Sequence, residues 1–232
     1  LPIMSSIAVA TFVKTIGRTP VKTRLAKTIG QTAAEEFYTL AVDLVEQVLE
    51  QASEQSAEQE FRLVPYWAVA EPNALDFWDS FDAIPQGKGE LGDRLHTVYS
   101  SCLEKHDGVL LIGSDCVTMT AEHLLNAGKA LLSRGMEYVL GPAHDGGFYL
   151  FGGNKPISQD TWNEVTYSST NTADQLLRAL SATGTCHKLE PLSDVDMIGD
   201  LQQLKKSLKA GELKLPAGGD KLAGWLDQQA DL

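Results

Sequence analysis

Six consecutive residues, Gly108 to Gly113 ("GVLLIG"), carry no polar side chain and run straight into Ser114-Asp115. A strand with no polar alternation needs cover on both faces, and sheets covered on both faces are built from parallel strands joined by crossover helices. "SIAVATFV" (Ser6 to Val13) has the same character. The pair predicts an α/β chain with a mostly parallel central sheet. In such open sheets ligands bind beyond the carboxyl ends of the strands, so Asp115 stands where chemistry is expected.

The remaining pattern supports this class. A helix is predicted to open on a Thr32-x-x-Glu35 capping box and to carry Ala34, Phe37, Ala41, Leu44, Val45 and Val48 on one face, fading into the polar stretch "EQASEQSAEQE". "FRLVPYWAVA" reads as a strand in which Pro65 marks an irregularity or an edge. Helices are predicted over Leu91 to Lys105, Ala121 to Ser133 and Ala173 to Ser181, with further strands at "YVLGPA", "GGFYLFGG" and "CHKLEPL". Alternation of this kind over 232 residues predicts a single domain spanning 1–232, with 210–232 as a C-terminal extension around Leu222, Trp225 and Leu226.

Composition excludes several functions. A formal charge of -12 argues against binding nucleic acid, whose phosphates call for a basic face. No apolar run reaches the roughly 18 residues that span a bilayer, and no signal peptide is evident, so a soluble cytoplasmic protein is expected. Cys102, Cys116 and Cys186 are odd in number and widely spaced, which predicts reduced core thiols. No nucleophile elbow, Cys-His pair or histidine metal spacing appears. An acidic protein that binds a nucleotide needs a local cationic patch, a divalent metal, or both.

Such a patch follows the first strand. Lys14, Arg18, Lys22, Arg24 and Lys27 place five of the 19 basic residues within "KTIGRTPVKTRLAKTIG". Arg24 offers a fork and Lys22 a point charge for phosphate oxygens, although the segment matches neither a Walker loop nor a dinucleotide-binding glycine pattern. A hard cation such as Mg2+ or Mn2+ takes one or two carboxylates plus substrate phosphate oxygens, which suits Asp115. In "GPAHDGGFYLFGG", Asp145 precedes two glycines between strands and reads as a plain turn or as backbone that a ligand can approach, with Asp145 or His144 facing it. Asp194 and Asp196 alternate ahead of a helix and can share a cation with Asp115 if their segments adjoin, or stand as loop acids without a partner. Asp200 suits the first turn of that helix.

Taken together, "KTIGRTPVKTRLAKTIG", "GELGDRL", "LLIGSDCVTMTAEHL", "GPAHDGGFYLFGG" and "DVDMIGDL" occur in the order and spacing of a bacterial family of glycosyltransferase-like proteins, DUF2064. The chain resembles that family from about Ala8 to Leu204. The resemblance implies a glycosyltransferase A-type, Rossmann-like nucleotide-diphospho-sugar transferase fold. It implies Lys14, Lys22, Arg24 and Ser114 at the nucleotide phosphates, Asp115 with Asp196 and Asp194 at a metal, and Asp115 and Asp145 in catalysis. Gly146, Gly147, Asp93 and Arg94 would border the sugar or acceptor. Four residues depart from the family pattern: Ile16, Thr19, Val117 and Met197.

Three functions therefore stand after the sequence. The first is metal-dependent transfer of a sugar from a nucleotide sugar to a small acceptor. The second is nucleotidyl transfer from a nucleoside triphosphate to a phosphorylated or carboxylated metabolite. The third is a degenerate nucleotide-binding protein. Asp145, His144 and Asp93 remain open as the general base, and assembly into a homodimer is left open.

Overall fold

Buried on both faces from Ile7 to Thr11, strand β1 (Ser5–Val13) takes the middle of the sheet, as its apolar run requires. The computed structural model describes residues 4–229. On one side of β1 lie β2 (Phe61–Val69) and then β3 (Asp82–Pro85). On the other lie β4 (Gly108–Gly113), β6 (Phe148–Gly153), β5 (Tyr138–Pro142) and β7 (Cys186–Lys188), in that spatial order. Every neighbouring pair is parallel except those of β6, which runs antiparallel to both β4 and β5. The mostly parallel α/β sheet read from the sequence is the observed one.

Helices cover both faces. Over one face lie α2 (Gln31–Ser56) and α4 (Ala121–Leu131), burying Val42, Val45, Leu49 and Leu124 against β-strand residues such as Val9 and Leu110. Over the other lie α3 (Leu91–Leu103), α5 (Gln159–Asn163) and α6 (Thr172–Leu180), whose Tyr99, Trp162 and Leu176 pack on Ala8, Leu111 and Phe151. A third cluster joins α1 (Thr23–Ile29), α7 (Ile198–Lys209) and α8 (Asp220–Gln228) to the outer side of α2 through Leu25, Leu201 and Leu226. Trp225 stacks 5.8 Å from Phe37 and its indole donates to Glu36, so the C-terminal segment is docked on α2. Cys102 and Cys116 are buried and Cys186 is half-buried.

Several local expectations change. The Thr32-Glu35 capping box does not form: α2 starts at Gln31 with Gly30 as its cap, at φ 86°, a left-handed value that glycine adopts without penalty. The basic segment, for which no helix was predicted, contains α1, because Leu25 has a core to enter. The polar end of α2 stays helical to Ser56, whose hydroxyl accepts from the Leu63 amide and so ties the helix to β2. Strand β3 escaped notice because it is four half-exposed residues long. Pro65 sits where β2 has no partner on its outer side, since pairing with β3 begins at Tyr66. That is the edge position its missing N–H predicts.

Candidate active site

The strand order reverses at β1, which has β2 on one side and β4 on the other. Loops diverge at such a switch point and leave a crevice. Lys14 leaves the end of β1 there, and Ser114-Asp115 leaves the end of β4. Because β6 is reversed, its beginning rather than its end reaches the same edge. The β5–β6 turn therefore brings Asp145, Gly146 and Gly147 to the crevice. The segment ahead of α7 supplies Asp194 and Asp196, with the Val195 amide donating to the Asp115 carbonyl at 3.1 Å.

The crevice has two adjoining lobes. The larger, about 630 Å³, is lined by Lys14, Lys22, Arg24, Arg94, Ser114 and Asp196, among others. The smaller, about 300 Å³, is lined by Leu95, Phe148, Tyr149 and Tyr167 with Ser169 and Thr172. Asp115, Asp145 and Asp194 border both. The cations gathered in sequence thus face one lobe, and the carboxylates form a ridge between that lobe and an apolar one.

Two of the cations in the larger lobe are already paired with acids. Lys22 Nζ lies 2.7 Å from Asp115 Oδ1 and also donates to the Val195 carbonyl, with only 3% of the Lys22 side chain exposed. Two of its three N–H donors are committed, so the free phosphate-gripping lysine expected from the sequence has at most one donor to offer. Lys22 also adopts φ 47°, a left-handed conformation that costs a non-glycine residue about 1–3 kcal/mol. The contacts of its ammonium group hold it there. Arg24 pairs with Asp196 at 2.8 Å, but both are substantially exposed and exchange readily for another partner.

Asp194 is the most perturbed acid. Its Oδ1 is buried with no hydrogen-bond partner. Burial, together with the charges of Asp115 and Asp145, pushes its carboxyl up to about 7, against the pull of Lys22. A buried orphaned oxygen beside further acids fits a cation, and the all-oxygen donor set suits Mg2+ or Mn2+. Among the described residues no three ligands are already gathered as one metal site.

Asp145 turns back to accept from the Gly147 amide at 2.8 Å, which fixes it at the ridge. Gly146, at φ 92°, is packed so closely that an added Cβ would lie 1.9 Å from the Thr170 carbonyl oxygen. Its own carbonyl accepts from the Ala173 amide at 3.0 Å. The "DGG" of the sequence is thus both a turn and the seam that carries residues 168–172 to the smaller lobe. His144 is exposed and lines neither lobe.

Asp93 departs from expectation. Its carboxylate accepts from the Glu90 amide, Gln159 and Asn163, at 3.1, 2.7 and 2.9 Å, and these bonds hold it below the usual range. It braces the start of α3 against α5 and lines neither lobe. Arg94 does line the larger lobe, with its Nε donating to the Gly89 carbonyl. Of the departures from the family pattern, Val117 is buried beside Leu25 and Phe37, Ile16 and Met197 are exposed, and none of the four lines either lobe.

Sequence reasoning missed several lining residues. Tyr38 donates to the Lys14 carbonyl and accepts from its amide, fixing the exit of β1, yet at helical spacing it reads as core. Gln86, buried, donates to the carbonyls of Val13 and Ala68 and joins the ends of β1 and β2. Ser168, at φ 56°, borders both lobes. No spacing marks any of the three.

Solved structures share the fold of this chain. A candidate nucleotide-diphospho-sugar transferase from Desulfovibrio desulfuricans G20 superposes with a TM-score of 0.76 at 23% identity, over 97% of this chain and 98% of that one. The 4-diphosphocytidyl-2C-methyl-D-erythritol synthase of Anaerococcus prevotii gives 0.55 at 10% identity, over 88% and 99%. A CMP:2-keto-3-deoxy-manno-octonic acid synthetase complexed with CTP gives 0.50 at 13%, over 90% and 100%. No curated protein matches the chain in sequence. The fold is that of these structures, a single α/β domain with a mostly parallel sheet flanked by helices. The chain belongs to the bacterial family of uncharacterized proteins DUF2064, whose family model matches residues 42–169. Among the described residues no helix is long and apolar enough to cross a membrane.

Proposed function

We propose that the protein takes a sugar from a nucleotide diphosphate and passes it to a small acceptor, with Mg2+ or Mn2+ as its metal. The observation that supports this reading is the division of the crevice. Cations line one lobe, which suits a nucleotide diphosphate, and a second lobe meets it at Asp115, Asp145 and Asp194. Transfer between two substrates needs such a meeting point, with the reacting atoms held at the boundary.

In the proposed step an acceptor hydroxyl oxygen bonds to the anomeric carbon. The bond from that carbon to the diphosphate breaks, and its electron pair leaves on the diphosphate oxygen. Asp145, fixed by the Gly147 amide, receives the hydroxyl proton. Lys14, Arg24 and Ser114 hold the phosphates, with Arg24 released from Asp196 to do so. Asp115, Asp194 and Asp196 are the residues that would hold the metal. When bound, the ion supplies positive charge at the leaving diphosphate.

Calorimetric titration with nucleoside diphosphates, nucleotide sugars and nucleoside triphosphates, with and without Mn2+, tests the reading. Metal-dependent binding of a nucleotide sugar is expected. Pyrophosphate release from a triphosphate would replace sugar transfer by nucleotidyl transfer, and binding of none of them would leave a degenerate fold.

A further inference from the structure

The smaller lobe differs from its neighbour in charge, and that difference restricts what it admits. No lysine, arginine or histidine lines it. Its acidic side chains are the ridge carboxylates, and its other polar lining residues are Tyr149, Tyr167, Ser168, Ser169 and Thr172; the hydroxyls of Tyr149 and Tyr167 donate to the Glu190 and Trp162 carbonyls, and those of Ser169 and Thr172 to the Thr166 carbonyl. Burial pushes both tyrosines above their ordinary range, so they stay neutral. The cations nearest the ridge are already occupied: Lys22 by Asp115 and the Val195 carbonyl, and Arg24 by Asp196.

A phosphate or carboxylate entering this lobe would lose its water and meet no cationic side chain, and the charge of a metal on the ridge is already shared by its carboxylates and the nucleotide diphosphate. Both effects are costly where water is excluded. A substrate hydroxyl meets no such penalty, because it carries no charge to desolvate and its proton can go to a lone pair that a lining hydroxyl oxygen or ridge carboxylate still holds. Leu95 and Phe148 offer contact to an apolar face.

We infer that the second substrate is an uncharged alcohol with an apolar face, small enough for a lobe of about 300 Å³, and not a phosphorylated or carboxylated metabolite. The inference rests on the transfer reading above and deepens it. It also separates the two transferase chemistries, because nucleotidyl transfer to a phosphorylated metabolite would bring a second anion to this ridge.

The test uses matched pairs: neutral aryl or alkyl glycosides and the same glycosides carrying a 6-phosphate. Nucleotide binding is measured first by calorimetry, so that loss of the transfer reading shows as no nucleotide bound. Each pair is then titrated into the complex of the full chain with nucleoside diphosphate and Mn2+, and is also assayed for stimulation of diphosphate release from the nucleotide sugar. The neutral member is expected to bind at least about tenfold more tightly than its phosphorylated twin. Leu91→Lys, which puts a cation at the exposed residue where the lobes join, is expected to narrow that gap. With nucleotide binding intact, tighter binding of the phosphorylated member overturns the inference. So does equal treatment of the pair, including failure of both to bind.

Discussion

The buried ammonium of Lys22 stands 2.7 Å from the half-exposed Asp115 carboxylate, and the two come from the residue that caps α1 and the loop after β4, far apart in sequence. A cation held there competes with a metal ion for the same oxygen. Replacing Lys22 by Met keeps an unbranched side chain of similar length and removes the charge, together with its 5.7 Å approach to the Phe37 ring. Lys22→Met is expected to raise the affinity for Mn2+ alone by about tenfold, equivalent to about 1.4 kcal/mol, as read by the loss of free-ion signal in electron paramagnetic resonance. It also leaves the Val195 carbonyl without its donor, at a cost of about 1–3 kcal/mol in stability. Unaltered Mn2+ affinity would mean that Asp115 is not where the ion sits.

Arg24 is exposed and its partner Asp196 is half-exposed, so the pair adds little to folding. Arg24→Ala is expected to leave the melting temperature nearly unchanged while weakening nucleotide diphosphate binding by about 1.5–3 kcal/mol, the usual loss for a hydrogen bond to a charged group. Calorimetry at fixed ionic strength reads this directly. An unchanged dissociation constant would move the phosphate site away from α1.

Asp194 gives a pH signature. Its carboxyl rises from an ordinary 3.8 to about 7 in the folded protein. Between those values the folded chain keeps a proton that the unfolded chain has released, so stability from this group is full below the lower value and is lost as pH climbs through the upper one. Asp194→Asn removes the group. In chelator-treated buffer at pH 8 the variant is expected to be the more stable, by on the order of 2–4 kcal/mol, with the difference shrinking toward acid pH. Urea titrations across that range decide the matter, and parallel profiles for both proteins would clear Asp194 of the shift.

Gly146 has no room for a side chain. Gly146→Ala would force a Cβ onto the Thr170 carbonyl at φ 92°, so the turn and residues 168–172 must part. Backbone strain alone costs about 1–3 kcal/mol. The expected outcome is a lower melting temperature together with weakened acceptor binding and near-normal nucleotide affinity. A variant as stable as the parent would show that the turn relaxes freely.

What could be read from the sequence follows from the kind of interaction that carries it. The apolar runs at Ile7 to Ala10 and Val109 to Ile112 admit one environment only, so the central strands and the sheet class were legible. The crevice that gathers Asp115, Asp194 and Asp196 with Lys22 and Arg24 was one of two alternatives the sequence left open, the other being loop acids without a partner. Pairing within that set was not legible, because it depends on Lys22 turning inward at a left-handed backbone position that lysine composition does not announce. Asp93 was misplaced for a related reason: two amides from α5, distant in sequence, claim it. The smaller lobe was invisible, since Tyr167 and Phe148 look like core until the fold leaves space beside them.

The reversed direction of β6 also bears on how the chain tolerates change in length. Asp145 is held between β5 and β6 by a connection only a few residues long, with Ala143 bonded to Gly147 across it. Lys22 and Asp196 hang on far longer excursions from the sheet. An insertion after β1 or ahead of α7 has slack to absorb it, whereas a single added residue between Ala143 and Gly147 would rotate Asp145 off the ridge. Length variation should therefore accumulate on the side that grips the phosphates, while the spacing around Asp145 stays fixed.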